Sequence, residues 1–357
     1  MIILVTGAAG LLGGEIAATL TARGHGVLGL VHKSRDVRHG AGERADTIVW
    51  KSAAPDGGEI ALVAGDVAHP KLGLDPDRYE ALAGEVDMIV HCAAITTFDD
   101  SPENYEAINL GGTQEMLDLA KRAGAGFLQV STAYVCGERD GPIAEDESSP
   151  PTSFANPYEQ SKFEAELLVR MAMSKGLPAA IARPSVIVGR EADGAIAAFD
   201  AIYAAFRLLA EGRLATIPAK AEASIDFVPI DHVVNGIVTI AERMEEAVGH
   251  SFHLTSSAPM PVPDFFDLIG SYDRFSQPEL IAPEDFDPSS LSPFEARLHQ
   301  RIAVLYQSYF CRNPLFQNHN VRNLIGSGGP AADRDMMKRQ IDFAIRAGYL
   351  RRDSKAA

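Results

Sequence analysis

Ile2-Ile3-Leu4-Val5-Thr6-Gly7-Ala8-Ala9-Gly10-Leu11-Leu12-Gly13 carries an apolar, β-branched run straight into glycines at 7, 10 and 13. A buried strand reads this way, and so does the tight turn that follows it into a helix. Glycines at such a turn let the backbone bend sharply and allow a pyrophosphate to approach, while the N-terminus of the next helix faces the phosphates. Thr6, Gly7, Gly10, Leu11, Leu12 and Gly13 are therefore candidate cofactor contacts, and the competing reading is a purely structural turn.

Outward from this turn, short β-branched runs alternate with helical patterns as far as about residue 190. Strands are predicted at 2–5, 26–31, 60–64, 87–92, 127–131 and 179–183, with helices over Glu15 to Arg23, Glu103 to Ala123 and Tyr158 to Ser174. That alternation predicts an α/β chain with a Rossmann-type doubly wound parallel sheet. Residues 1–190 are expected to form the dinucleotide-binding domain, with 225–255 returning to it and 191–357 mainly building a smaller C-terminal substrate-binding lobe. A helix is expected from Ala195 to Leu209, whose Ile196, Phe199, Tyr203 and Phe206 could line a channel or simply pack the lobe. A last amphipathic helix is expected from Asp333 to Leu350, ending in Arg351 and Arg352.

The end of the second strand separates two cofactors. A carboxylate there suits the ribose hydroxyls of NAD, and a cation suits the extra phosphate of NADP. The chain reads Val31-His32-Lys33-Ser34-Arg35 and has no acid until Asp36. His32, Lys33 and Arg35 are candidate contacts, Lys33 and Arg35 for the 2′-phosphate, so NADPH is favoured over NADH. Asp66 and Val67 close the third strand and Ala93 and Ala94 follow the fourth, within reach of a dinucleotide. His91 and Cys92 are read as core residues.

Tyr158 and Lys162 lie four apart in Asn156-Pro157-Tyr158-Glu159-Gln160-Ser161-Lys162, which on a helix sets a phenol and an ammonium on one face. Upstream, Ser131-Thr132 closes an apolar run at the carboxyl end of a strand, the edge where open α/β sheets bind ligands. Thr132 can donate to a substrate oxygen, Tyr158 can act as general acid, and Lys162 can favour the phenolate and hold the ribose. Together with the glycine turn these features predict a nicotinamide-dependent oxidoreductase.

Composition narrows the alternatives. The net charge is −16 and the pI about 5.0, which disfavours nucleic acid as a partner. Cys92, Cys136 and Cys311 are widely spaced without a C-x-x-C, so neither a disulfide framework nor a metal site is expected. No run approaches the roughly 18 apolar residues of a membrane span, and the first apolar run has no basic leader, so a soluble, cytoplasmic protein is expected.

With the glycine turn, Ser131-Thr132 and Tyr158 to Lys162 in hand, residues 1 to about 240 resemble an extended short-chain dehydrogenase/reductase. The resemblance implies a catalytic set of Thr132, Tyr158 and Lys162. It also implies a role for Asn109, which lies in Ala107-Ile108-Asn109-Leu110-Gly111-Gly112-Thr113. It further implies that Arg183-Pro184-Ser185-Val186-Ile187-Val188-Gly189 runs beside the nicotinamide, with Pro184 and Val186 as contacts. Cys136 departs from the family, which often has tyrosine there.

The tail, Tyr306-Gln307-Ser308-Tyr309-Phe310 followed by Asn313-Pro314-Leu315-Phe316 and Asn320, is similar to that of fatty acyl-CoA reductases, and thioester-reductase domains share the front half. The match is loose from 256 to 305. This resemblance implies an NADPH-dependent reductase of an acyl thioester, supplied as an acyl-CoA or by a separate carrier protein. A dehydrogenase or ketoreductase of a hydrophobic alcohol or ketone stays open, as do a sugar-nucleotide epimerase or dehydratase and a non-catalytic dinucleotide sensor. The oligomeric state is not specified.

Overall fold

A computed structural model describes residues 1–350 apart from 54, 56–57, 201, 211–213 and 301–303. Its centre is a sheet of eight parallel strands. In chain order these are β1 (Ile2–Thr6), β2 (Gly26–Val31), β3 (Thr47–Val49), β4 (Ile60–Ala64), β5 (Met88–His91), β6 (Gly126–Val130), β7 (Ala179–Pro184) and β8 (Ser251–Leu254). They lie side by side as β8-β7-β6-β5-β1-β2-β4-β3. The order reverses at β1, whose neighbours are β2 and β5. The carboxyl ends of these strands therefore open a crevice at the switch point.

Alternation along the strands sends side chains to both faces of the sheet. Ile3 and Val5 join a core with Ile16 and Leu20 of α1 (Leu11–Ala22) and Val233 and Ile237 of α6 (Ile230–Glu242). Leu4 joins the opposite core, with Leu82 of α2 (Pro76–Glu85), Met116 of α3 (Gly112–Ala123) and Val169 of α4 (Pro157–Ser174). A third core holds Tyr203 and Phe206 of α5 (Ile202–Ala210), Phe265 and Phe310, and Met337 and Ile341 of α7 (Arg334–Arg346).

Six strands fall where the sequence puts them, and two were not anticipated. β3 is three residues long and exposed, so burial leaves no pattern in it. β8 buries Ser251 and His253 among its apolar residues and lacks a clean apolar period. The helix expected over Ala195 to Leu209 begins only at Ile202, and residue 201 lies outside the described residues. Gly194 takes a left-handed φ of +75°, and the chain runs irregularly past it to Asp200, with Phe199 stacked 4.4 Å from the Tyr349 ring. Packing against the tail therefore decides that segment, not its period. The last helix is shorter than expected, and Arg351 and Arg352 lie outside the described residues.

Candidate active site

The turn after β1 has the shape its glycines imply. Gly7 sits at φ +67°, and a Cβ there would come within 3.0 Å of the Ala93 backbone. A Cβ at Gly13 would lie 2.2 Å from the Gly7 carbonyl oxygen, a contact no side chain tolerates. α1 starts immediately after Gly10 with no side chain capping its first turn. Its leading N–H groups thus face the turn, as an anion site requires. Thr6 lies beneath, fully buried, and is not a wall residue. Its Oγ1 accepts from Cys92 N and Ala93 N at 3.0 Å each and bonds His91 Nδ1 at 2.8 Å, tying the end of β1 to β5.

A cavity of about 550 Å³ runs from this turn across the strand ends. Its wall includes Gly7, Gly10, Leu11, Leu12, Gly13, His32, Lys33, Asp66, Val67, Ala93 and Ala94, and beyond them Thr132, Tyr158, Lys162, Pro184 and Val186. Arg35 stands outside the wall, exposed beside it. Asp36 is engaged by Arg38 at 2.7 Å and Arg44 at 2.9 Å, whereas no ion pair among the described residues involves Lys33 or Arg35. Asp66 lies 3.5 Å from His32 and 2.9 Å from His69. A glycine cradle and an uncapped helix start along one cavity, with Lys33 on its wall and Arg35 beside it, fit a dinucleotide phosphate.

At the other end, Asn156 caps α4 by accepting from Glu159 N at 2.9 Å, and Pro157 begins the helix, so the turn bearing Tyr158 is fixed. The next turn delivers Lys162, 3 % exposed, whose Nζ donates to the Val130 carbonyl at 2.7 Å. Burial pulls its ammonium down to about 8, with Glu166 opposing. Tyr158 is partly buried, its ring 5.8 Å from Phe98. Burial first, and then the neighbouring Glu159, raise its pKa well above the ordinary phenol value, while a hydrogen bond with Thr132 pulls the other way. Thr132, at the end of β6, also accepts from Tyr134 N at 3.3 Å.

Asn109 lies outside the cavity wall, buried in a π-helical segment, Tyr105–Gly111, that leads into α3. Such segments are uncommon and concentrate at functional sites. The amide exchanges bonds with Ile95, accepting from its N at 2.8 Å and donating to its carbonyl at 3.1 Å, and donates to Ser161 Oγ at 2.8 Å. Ser161 in turn donates to the Tyr158 carbonyl at 2.8 Å. Asn109 thereby braces the backbone that carries Tyr158.

Several supports have no local signal in the sequence. Beneath Lys162, Glu166 pairs with Arg183 at 2.6 Å, so Arg183 turns away from the cavity that Pro184 enters. Glu159 pairs with Arg312 at 2.6 Å, with the two side chains 0 % and 5 % exposed. The Arg312 guanidinium lies 4.5 Å from the Tyr134 ring centre and 4.8 Å from that of Tyr309. Tyr306 and Tyr309 line the cavity, while Phe310 packs the third core and Asn320 donates to the Ser251 carbonyl at 2.9 Å. Ile196 and Tyr203 reach the cavity, but Phe199 and Phe206 do not. Cys92 is half-buried in the wall and His91 is core. Among the described residues no group of three or more His, Cys, Asp or Glu could hold a metal ion, and no helix is long and apolar enough to cross a membrane.

A family model described as male sterility protein, an NAD-binding family, matches residues 5–237. Glycine betaine reductase ATRR of Emericella nidulans is 30 % identical over 230 residues, which is 62 % of this chain and 18 % of that protein. The chain spans between 5 % and 30 % of the length of the first curated relatives it matches. Among solved structures, the terminal R domain from the myxalamid PKS-NRPS biosynthetic pathway superposes with a TM-score of 0.78 at 26 % identity, covering 98 % of this chain and 92 % of that one. A thiolation-reductase di-domain from an archaeal non-ribosomal peptide synthetase superposes with a TM-score of 0.71 at 19 % identity, covering 98 % and 76 %, a likeness of fold alone.

Proposed function

The chain belongs to the male sterility protein family of extended short-chain dehydrogenase/reductases, and on that premise we propose that it is an NADPH-dependent reductase of an acyl thioester, coenzyme A-linked or carrier-bound. The observation that carries this reading is one cavity lined by the glycine turn and Lys33 toward one end and by Thr132, Tyr158 and Lys162 toward the other. The uncommitted Lys33 and Arg35, beside an Asp36 already neutralised by two arginines, support the 2′-phosphate. The likeness to the R domain and to the reductase relative supports the thioester.

A bound nicotinamide dinucleotide supplies hydride to the carbonyl carbon. The residues of the chain manage the proton. Thr132 donates a hydrogen bond to the carbonyl oxygen, and Tyr158 gives that oxygen its proton as charge develops there. Lys162, ionised below about pH 8, stabilises the phenolate that remains. One hydride and one proton give a hemithioacetal, whose C–S bond breaks to release thiol and aldehyde. A second hydride and proton convert aldehyde to alcohol.

The test is to incubate the chain with NADPH and an acyl-pantetheine thioester, titrating free thiol and identifying the carbonyl or alcohol product by mass spectrometry. Thiol released in step with NADPH consumed is the expected result. NADPH consumption by ketones with no thioester turnover would replace this reading with a ketoreductase.

A further inference from the structure

Asp226 is 3 % exposed and is not among the residues of the cavity wall. Its Oδ1 accepts from Ser185 Oγ at 2.5 Å and from Ser256 N at 2.8 Å, and its backbone carbonyl accepts from Val186 N at 3.0 Å. One buried acid thus fixes the segment that follows β7 and the segment that follows β8. Burial lifts its carboxyl to about 6, and both donors converge on the same oxygen, Oδ1, which acts toward Ser185 and Ser256 as the acceptor.

The consequence falls on Ser185, which lines the cavity. A serine hydroxyl has one proton, and here that proton is committed to Asp226. Toward the cavity Ser185 can offer only lone pairs. It follows β7, the neighbour of β6, and so shares a wall with Thr132, which follows β6. If a dinucleotide lies with its phosphates at the glycine turn, the group that reaches this end is the nicotinamide, whose carboxamide carries N–H donors.

We propose that Asp226 is a positioning residue that makes Ser185 an obligate acceptor, and that Ser185 Oγ receives an N–H of the nicotinamide carboxamide. The device selects a carboxamide-bearing ring and fixes how it is turned. It rests on the nicotinamide reading above, and it assigns a task to two residues that neither the glycine turn nor the proton-transfer set requires.

The test is equilibrium binding by calorimetry, without substrate, of NADP⁺ and of its 3-acetylpyridine analogue, which keeps the phosphates and a carbonyl acceptor on the pyridinium ring but has no N–H at that substituent. The whole chain is used, as wild type and as Ser185→Ala, Asp226→Ala and Asp226→Asn. Wild type is expected to prefer NADP⁺ by about tenfold, the value of one hydrogen bond. Ser185→Ala should bring the ratio near one, Asp226→Ala, which frees the hydroxyl to donate as well as accept, should lower it part of the way, and Asp226→Asn, which keeps an acceptor oxygen, should restore it. Affinity for 2′,5′-ADP, which never reaches Ser185, should be the same in all four proteins. A Ser185→Ala protein that keeps the preference overturns the inference and leaves the cofactor reading intact. Failure of wild type to bind either dinucleotide overturns both.

Discussion

Replacing Arg312 with methionine leaves the Glu159 carboxylate, 0 % exposed, without its cation. Losing one partner of a buried pair costs about 3–5 kcal/mol, because the remaining charge is neither solvated nor neutralised. The guanidinium also donates to the Gly137 carbonyl at 3.2 Å and covers two tyrosine rings, so the upper half of that range is expected. At roughly 2 °C per kcal/mol for a chain of this size, the melting temperature should fall by about 8–10 °C. Circular dichroism melts of Arg312→Met, Glu159→Gln and the double variant measure this directly. The double variant removes both charges and should recover at least half of the loss. Because Tyr309 and the helix bearing Tyr158 lose a shared anchor, KM for substrate should rise more than the dissociation constant for cofactor. A single variant that loses less than about 1 kcal/mol would refute the reasoning, since the pair would then be solvated rather than buried.

Tyr158→Phe should lower the rate of reduction by roughly 10²–10⁴-fold while NADPH affinity, read by fluorescence titration, stays nearly unchanged. Lys33→Ala with Arg35→Ala should reduce the preference for NADPH over NADH by about tenfold, measured as a ratio of kcat/KM. Unchanged preference would mean that the 2′-phosphate is held elsewhere. Activity should fall as pH rises through about 8, where Lys162 loses its proton. Stability responds with the opposite sign. The folded pKa lies below the unfolded one, so from about 8 to about 10.5 the unfolded chain binds more protons and the Lys162 contribution to stability rises. Lys162→Met should therefore abolish activity without lowering the melting temperature, and a large drop in Tm would show that the ammonium stabilises the fold.

The front half of the molecule was legible because its determinants are local. Ile2 to Gly13 specify strand, turn and helix within a dozen neighbours, and Tyr158 and Lys162 share a face through helical spacing alone. Determinants that act across the chain left no such trace. Glu159 and Arg312 are 153 positions apart, and nothing near either names the other. Ser185 and Asp226 meet because a strand at Val186–Val188 pairs with one at Phe227–Pro229. Helical period misled over Ala195 to Leu209, where Phe199 satisfies its burial by stacking on Tyr349 rather than by joining α5. The tail motif points to the site only in part, since Tyr306 and Tyr309 reach the cavity while Phe310 and Asn320 brace its surroundings.

Reduction of acyl thioesters in this cavity at the expense of NADPH is open to direct measurement. Its most direct test follows NADPH absorbance in the presence of acyl-CoA thioesters of graded chain length, beside matched ketones and UDP-sugars. Consumption should depend on the thioester and be lost in Tyr158→Phe. Tight NADPH binding without consumption on any thioester would contradict the thioester reading.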